Sequence, residues 1–440
     1  MNFQAINNKI SSILIHQEAG FEIHPHRRHP SRQPFIRACR AAYKGAPVDL
    51  LRTVMRDAFS SLVDEAIEEA VDFMVIAGDL YDGSWKDYNT GHFFCREMGR
   101  LNKVGIPVYL LFGNHDADSE MTKKLTLPPN VHQFESRKTS TFKIDALKVA
   151  LHGRSYREAA TIENLAATYP SPVTGWLNIG VLHTALEGYA AHANYAPCSV
   201  TELTAKGYDY WALGHVHEYD IVQNNPWVVF PGNLQGRHIR ETGARGAVMV
   251  SADESGIQSV DRLFVDVLRW HVVNVDASTA NTLEEVVRLT GRTFEQLVAD
   301  TPDSMNLAVR VCITGKTTAH GELFGLESQL REEILGQAAG QGLDRLWVEK
   351  VRIETEPIID TAHIAARADA IADLQVYLSE ACNDPQLLES LLEDLRPLVD
   401  KAPFELFKAV PELDAIRSGD VTGIIKSVTP SLLAYLAKSN

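Results

Sequence analysis

Four short segments place metal-ligand side chains at the ends of apolar runs. They read Gly78-Asp79-Leu80-Tyr81-Asp82, Gly113-Asn114-His115-Asp116, His183-Thr184 and Gly214-His215-Val216-His217. Together they offer carboxylate, amide and imidazole groups but no thiolate, a donor set that suits manganese or a similar first-row divalent ion. Two such ions about 3.5–4 Å apart acidify a water between them and clamp a phosphate. The segments therefore predict a site that binds divalent metal ions.

Each segment also has a simpler structural role when it is considered alone. Asp79 could cap a following helix, and Asn114 could shape a turn. A lone histidine such as His183 is more often packed or hydrogen-bonded than bound to a metal. His215 and His217 are two residues apart, so on a strand both side chains would point to one face. Four such segments in one chain favour a shared site over coincidence.

Apolar runs predict the strands that position these segments. Each segment closes one run: VDFMVIAGD, IPVYLLFGNHD, LNIGVLHT and YDYWALGHVH. Several runs are continuously apolar, as expected when helices cover both faces of a sheet. The helical spacing of apolar residues in DLLRTVMRDAFSSLVDEAIEEA predicts one of those helices. Because ligand sites in open α/β sheets lie beyond the carboxyl ends of strands, we expect the segments to converge there.

Changes of pattern along the chain predict four regions. Residues 1–44 are anomalous, residues 45–270 alternate helical and strand-like patterns, residues 271–358 form a small α+β unit, and residues 359–440 are helical. The strands of the small unit are predicted at WHVVNVDAS, MNLAVRVCITG and LWVEKVRIE. The predicted fold class is therefore α/β, with a small α+β unit and a helical C-terminal region.

Composition narrows the class of protein. The chain has 440 residues and a formal net charge of −15, from 57 acidic and 42 basic residues. This acidity argues against broad attraction to nucleic acid or anionic membranes, although it is compatible with a local basic groove. The five cysteines are far apart, no run approaches 18 apolar residues, and the N-terminus has no signal-peptide core. These features predict a cytoplasmic enzyme or binding protein with reduced thiols.

The ordered motifs GDxxD, GNHD and GHxH resemble those of the binuclear, calcineurin-like metallophosphoesterases. The resemblance narrows to SbcD/YhaO-type DNA repair exonucleases through VDFMVIAGDLYDG, GIPVYLLFGNHD, LNIGVLHT, GYDYWALGHVH and VVFPGNLQGRHIRETGARG. It covers most of residues 45–270 strongly and the C-terminal tail more weakly. It implies a metallophosphoesterase-type β-sandwich flanked by helices, two divalent ions that suit Mn²⁺, and cleavage of DNA ends.

The resemblance also implies a role for each metal-ligand residue. Asp79 would bridge the two ions, while Asn114, His183 and His215 would complete one of the two sites. His217 would belong to the other site.

Two further residues receive catalytic roles from the same resemblance. His115 would approach the phosphate as an acid or a charge stabiliser, and Asp116 would hold it. A simple turn geometry is the alternative for His115.

The basic residues Arg237, His238 and Arg240 in NLQGRHIRETG are candidates for phosphate contacts, and a surface loop is the equal alternative.

Three functions agree with these motifs. The first is a DNA exonuclease acting in DNA repair, and the second is a phosphoesterase for nucleotides or phosphoproteins, which would need the same metal ligands. The third is a non-catalytic subunit whose C-terminal helices bind an SMC-like ATPase, a partner that the resemblance alone implies. A helical region that packs on itself is the alternative to that binding surface.

The stretch Ile23–Phe35 does not fit the resemblance. It reads IHPHRRHPSRQPF, where the family has a D-x-H motif that supplies two ligands to the second ion, and residues 1–44 contain no aspartate. Codons can be chosen for this stretch that, read one base later, encode FIHTADIHLDSPL. We therefore interpret the stretch as the missing motif out of frame, through a real frameshift or a sequencing error.

Two functional roles for this stretch are alternatives to the frameshift. A basic arm that touches DNA phosphates ranks second, and replacement metal ligands at His24, His26 and His29 rank third. Proline cannot donate to a central strand ladder, and arginine is rarely buried unpaired. We therefore expect residues 1 to about 40 to be poorly ordered or peripheral and the sheet to lack its opening strand. If residues 1 to 40 are the true product, the second ion would keep only Asp79 and His217 of its expected ligands, so one site would be occupied and activity would be severely reduced.

Overall fold

The computed structural model of the chain describes the backbone of most residues from Ile10 onward. The described ranges are 10–15, 47–80, 88–117, 126–158, 161–187, 195–342, 345–358, 370–402, 407 and 410–438. The chain divides into two compact units, Met1–His271 with Asp303–Ala308, and Val272–Pro302 with Val309–Asn440. Among the described residues, no helix is both long enough and apolar enough to cross a membrane.

The strands of the first unit alternate along the chain with helices. In chain order they are β1 (Ile10–Ile15), β2 (Phe73–Ala77), β3 (Val108–Leu111), β4 (Val131–Gln133), β5 (Ser140–Ile144), β6 (Val149–Gly153), β7 (Leu177–His183), β8 (Tyr210–Gly214), β9 (Asp220–Asn224), β10 (Trp227–Phe230), β11 (Gly246–Asp253) and β12 (Gly256–Phe264). The helices are α1 (Val48–Glu68), α2 (Tyr88–Lys103), α3 (Asn114–Ala117) and α4 (Val200–Ala205), with a short 3₁₀ helix at Ala166–Thr168.

These strands form two six-stranded sheets. The first has the order β12-β11-β1-β2-β3-β4, and the second has the order β5-β6-β7-β8-β10-β9. Strands β1 to β4 pair in parallel, as do β6, β7, β8 and β10. One buried cluster joins residues of both sheets, including Phe73, Val75, Leu111, Ile179 and Val181. The two sheets therefore pack face to face as a sandwich.

Helices cover the outer face of the first sheet. Apolar residues of α1 and α2, such as Phe59, Leu62 and Phe94, form one buried cluster with Met74 and Ile76 of β2. The alternate residues of β2 belong to the cluster between the sheets. Strand β2 is therefore buried on both faces, which explains why its sequence FMVIA is continuously apolar. The predicted α/β fold, with helices beside a sandwich, is confirmed.

The expectation that the sheet lacks its opening strand is wrong. Strand β1 pairs in parallel with β2, where Ile15 lies opposite Ile76, and antiparallel with β11, where Leu14 lies opposite Val248. Its sequence ISSILI is rich in β-branched and apolar residues, which suit a strand between two neighbours. The proline and arginine residues on which the expectation was based follow β1 in the chain. Residues 16–46, including Ile23–Phe35, lie outside the described residues.

The second unit contains most of a three-stranded sheet and the C-terminal helices. Its sheet has the order β13-β14-β15, with β13 at Leu268–Asp276, β14 at Asn306–Thr317 and β15 at Leu346–Pro357. The helices are α5 (Leu283–Ala299), α6 (His320–Gly325), α7 (Glu327–Gly340), α8 (Ala370–Ala381), α9 (Pro385–Asp400), α10 (Pro411–Ser418) and α11 (Val421–Lys438). Strands and helices form where the sequence predicts an α+β unit followed by a helical region.

Candidate metal centre

Strand ends from both sheets meet at one place in the first unit. Asp79 follows β2, Asn114 follows β3, His183 is the last residue of β7, and His215 follows β8. All four residues are buried. A hydrogen-bond distance of 3.1 Å between His183 Nδ1 and the carbonyl oxygen of Ala77 joins β7 directly to β2. The polar ends of four apolar strands thus enclose one small space.

The side chains in this space present their donor atoms to one another. One ligand atom each from Asp79, His183 and His215 lies within 4.8 Å of the other two. His183 Nε2 is 3.2 Å from Asp79 Oδ2 and 2.8 Å from Asn114 Oδ1. The rings of His183 and His215 have centroids 5.2 Å apart. Two imidazoles, a carboxylate and an amide oxygen form a donor set that fits a first-row divalent ion.

The backbone orients the His183 ring. A carbonyl oxygen can only accept a hydrogen bond, so Nδ1 donates to Ala77 and Nε2 is the nitrogen directed at Asp79 and Asn114. Metal-binding histidines commonly have this second hydrogen bond, which holds the ring orientation. Burial lowers the pKa of His183, but the Asp79 carboxylate outweighs burial and raises that pKa overall. In the absence of an ion, a proton on Nε2 can therefore balance the Asp79 charge.

Close backbone approach makes two glycines necessary. A Cβ on Gly78 would lie 2.4 Å from His183 Nδ1, and a Cβ on Gly113 would lie 2.3 Å from Asp79 Oδ1. Asp79 and His215 adopt positive φ angles of 53° and 99°, which are uncommon for residues other than glycine. The expectation that His215 and His217 share a strand face is wrong, because β8 ends at Gly214 and both histidines follow it.

Asp116 connects the loops that follow β2 and β3. Its Oδ2 accepts hydrogen bonds from the backbone nitrogens of Leu80, at 3.2 Å, and Gly113, at 2.9 Å. The loops that present Asp79 and Asn114 are therefore tied to the same carboxylate. The backbone of His115 lies in α3, but its side chain is outside the described part of the chain. The predicted acid role of His115, and its support by Asp116, stay predictions.

His217 has a separate set of contacts. Within the described residues, the carboxylate and imidazole cluster close enough to share one ion consists of Asp79, His183 and His215. His217 Nδ1 instead lies 2.9 Å from Glu241 Oε1. Arg237 is a phosphate-contact candidate in the sequence, but its guanidinium binds Glu241, with its NH2 nitrogen 2.8 Å from Oε1. Sequence patterns assign no role to Glu241.

The charge of Glu241 is held by its neighbours. Burial raises the pKa of this carboxyl group, but hydrogen bonds from His217 and Arg237 outweigh burial and hold the pKa far below its usual range. Glu241 is therefore ionised at neutral pH beside the imidazole of His217. His238 is more distant, with Nε2 at 4.0 Å from Glu241 Oε1, and Arg240 is exposed.

Two protein families match the chain. Residues 49–219 match the calcineurin-like phosphoesterase family, and residues 270–356 match the middle domain of metallophosphoesterase YhaO. The first match includes Asp79, Asn114 and all three histidines that sequence patterns select as metal ligands.

Proteins similar in sequence to this chain include a metallophosphoesterase and DNA double-strand break repair proteins. The uncharacterized metallophosphoesterase YhaO of Bacillus subtilis is 34% identical over 258 residues, which cover 57% of this chain and 63% of that protein. Mre11, a DNA double-strand break repair protein, is 26% identical over 254 residues in Sulfurisphaera tokodaii, covering 53% of this chain and 62% of that protein. Mre11 of Methanopyrus kandleri is 24% identical over 414 residues, covering 85% and 82%. The chain thus spans less than two thirds of the length of the first two relatives.

The family matches and the site geometry agree with each other. The residues that converge in the structure lie within the span that matches the calcineurin-like phosphoesterases, and a YhaO-type middle domain follows that span. The resemblance that the motifs predict is confirmed: residues 49–219 of this chain form a calcineurin-like phosphoesterase domain, and the chain is a relative of the YhaO-type metallophosphoesterases.

Proposed function

We propose that the chain is a divalent-metal-dependent phosphodiesterase that acts on DNA as an exonuclease, with Mn²⁺ as the preferred ion and a role in DNA repair. The observation that carries the proposal is the convergence of Asp79, Asn114, His183 and His215 in one buried space. DNA as the substrate is supported by the relatives named as double-strand break repair proteins. Phosphodiester cleavage is supported by the donor set, which suits ions that bind phosphate oxygens.

Some residues of the site would bind the metal ions, and others hold those ligands in position. Divalent ions supply Lewis-acid charge that a phosphoryl group needs in its transition state. Asp79, the buried anion of the site, would hold such ions, and His183 would offer the Nε2 that its bond to Ala77 keeps directed inward. Asp116 holds the loops that carry Asp79 and Asn114 at a fixed separation. Gly78 and Gly113 leave the space that the ligand side chains fill.

A panel of substrates separates the proposed activity from its alternative. Linear DNA, bis-(p-nitrophenyl) phosphate and a phosphomonoester would be incubated with the protein and Mn²⁺. An exonuclease cleaves the first two and leaves the third largely intact. Preference for the phosphomonoester would replace the proposal with a phosphoesterase of nucleotides or phosphoproteins. Cleavage of none of the three, with Mn²⁺ bound, would favour a non-catalytic subunit.

We also propose an SMC-like ATPase subunit as the partner of the C-terminal helices. Helix α9 supports this proposal, because its leucines recur at helical spacing while none of its residues is buried. Leu398, near the end of the helix, is 57% exposed. In size-exclusion chromatography with the ATPase subunit of the same organism, the wild-type chain should co-elute and Leu398→Glu should not. Co-elution of both would place the contact elsewhere.

A further inference from the structure

We propose that Glu241 is a positioning residue for His217. Its carboxylate accepts the proton of His217 Nδ1 and leaves Nε2 as the nitrogen that can bind an ion. The inference rests on the proposed function, because it gives His217 a task at the metal centre. Neither family match includes Glu241, since residue 241 lies between the spans 49–219 and 270–356.

The hydrogen-bond geometry favours one tautomer of His217. Nδ1 lies 2.9 Å from Glu241 Oε1 and 3.1 Å from the NH2 nitrogen of Arg237. A carboxylate accepts and a guanidinium donates, so the two neighbours favour opposite tautomers. The guanidinium already donates to Glu241, with its NH2 nitrogen 2.8 Å from Oε1. The carboxylate is therefore the partner of the imidazole proton, and Nε2 keeps its lone pair.

The loop around Glu241 holds the carboxylate in place. The backbone nitrogen of Arg237 donates to Glu241 Oε2 at 2.8 Å, and the backbone nitrogen of Glu241 donates to the carbonyl oxygen of His238 at 2.8 Å. The indole nitrogen of Trp270 donates to the carbonyl oxygen of Gly236 at 3.0 Å. A Cβ on Gly236 would lie 2.6 Å from the carbonyl oxygen of Glu241. This close packing leaves the carboxylate little freedom to turn away from His217.

The backbone of His217 is fixed as well. Its carbonyl oxygen accepts hydrogen bonds from the backbone nitrogen of Asn233, at 2.9 Å, and from Arg245, at 2.8 Å. With the main chain held on one side and Nδ1 on the other, rotation of the ring is restricted. Carboxylate–histidine pairs of this kind raise the basicity of a ligand nitrogen and orient it. Glu241 therefore acts on the metal through His217 and needs no contact with the ion.

The first test reads the tautomer directly in metal-free protein. Long-range ¹H–¹⁵N NMR of histidine-labelled protein, at a pH where the ring is neutral, reports which nitrogen of His217 carries the proton. We expect Nδ1–H in the wild type and in Glu241→Gln, whose amide oxygen can still accept. In Glu241→Ala, Arg237 is left as the donor beside Nδ1, so the proton should move to Nε2. Nε2–H in the wild type, or an unchanged tautomer in Glu241→Ala, would overturn the proposal.

The second test measures Mn²⁺ binding by calorimetry. Loss of a residue that orients a ligand typically weakens metal affinity by about 10–100-fold, so Glu241→Ala should show a loss of that size and Glu241→Gln a smaller one. Glu218→Ala is the matched control, because the Glu218 carboxylate binds Arg245 rather than the imidazole of its neighbour His217. An equal loss of Mn²⁺ affinity in Glu218→Ala would mean that the structure of the loop, and not the tautomer of His217, determines the affinity.

The two tests separate the inference from the proposed function. If wild-type protein bound no Mn²⁺, the proposed function would fail, while the NMR experiment would still decide whether Glu241 sets the tautomer of His217. If Mn²⁺ bound equally well to wild type and Glu241→Ala, the positioning role would fail and the metal centre would stand.

Discussion

Two buried imidazoles, one in each unit, are held by different kinds of partner. His320 begins α6 in the second unit, with Nδ1 2.8 Å from the hydroxyl of Thr355 and Nε2 2.9 Å from the hydroxyl of Ser431. His183 ends β7 in the first unit, with Nδ1 on a backbone carbonyl and Nε2 between the oxygens of Asp79 and Asn114. Both rings are almost entirely buried.

The difference between these partners separates a structural histidine from a candidate ligand. Hydroxyl groups can donate or accept, so a neutral His320 satisfies both of its nitrogens without an ion. The oxygens that face Nε2 of His183 only accept, so that space needs a proton or a metal cation. Burial lowers the pKa of His320, whereas Asp79 raises that of His183 against the effect of burial. Burial alone therefore does not distinguish the two residues.

Removal of the carboxylate beside His183 should have the largest effect on metal binding and activity. Asp79→Ala should abolish measurable Mn²⁺ binding and lower DNA cleavage by on the order of 10³-fold or more, because charge stabilisation by metal ions provides several kcal/mol. The loss should exceed that of any single histidine variant, since a bridging carboxylate would serve both ions. Calorimetry and Mn²⁺-dependent cleavage of linear DNA measure the two effects. Full metal binding by Asp79→Ala would show that the carboxylate is not a ligand.

Restoring the reading frame would add metal ligands to the first unit and would not alter His320 in the second unit. Replacing Ile23–Phe35 with FIHTADIHLDSPL supplies a D-x-H motif, so Mn²⁺-dependent cleavage of linear DNA should rise by about tenfold or more. The replacement segment should also compete with Ile10–Ile15 for the place between β2 and β11. Side-by-side assays of the two versions measure the change. Equal activity would show that the opening stretch is a working part and would end the frameshift interpretation.

Removing the ring in the second unit should affect stability and leave metal binding unchanged. His320→Ala removes the partner of two hydroxyl groups and should lower the free energy of unfolding by about 1–3 kcal/mol. Urea denaturation followed by circular dichroism measures that loss, and calorimetry with Mn²⁺ provides the contrast with Asp79→Ala. Weaker Mn²⁺ binding by His320→Ala would contradict the division between a structural histidine and a ligand.

The smallest expected effect is on the dependence of stability on pH. Burial lowers the pKa of both His152 and His320 in the folded chain, against opposing hydrogen bonds. Below the unfolded pKa of about 6.5, these two histidines bind protons in the unfolded chain but not in the folded chain, so the stability that they contribute at pH 7.5 declines toward pH 5.5. His320→Gln should make this decline shallower than in the wild type. Urea midpoints at the two pH values test the sign, and a steeper decline in the variant would contradict it.

Sequence patterns predicted the features that follow from burial. Strand β2 and the runs ending at Asn114, His183 and His215 were predictable because sheets covered on both faces require continuous apolar residues. Their convergence followed from the rule that ligand sites lie beyond the carboxyl ends of strands. The position of His183 at the end of β7 agrees with that argument.

Three features leave no pattern that a sequence alone reveals. Glu241 is a glutamate in a polar loop, and only its position beside His217 distinguishes it from solvent-exposed acids. The positive φ of His215 ends the strand one residue before the GHxH histidines, which alternation cannot show. The expectation about the opening strand was based on the proline and arginine content of about 40 residues. Strand β1 occupies only Ile10–Ile15 of that stretch, so the average composition did not reveal it.

The central place of β1 has a consequence for the order of folding. Its parallel neighbour β2 begins at Phe73, but its antiparallel neighbour β11 begins only at Gly246. During synthesis, β1 must wait for β11, which is made much later than β2, before both of its edges are paired. Pairings this distant in sequence incur a large loop-closure entropy and slow the folding of a domain. Until β11 arrives, β1 carries an unpaired edge of the kind that invites association between chains.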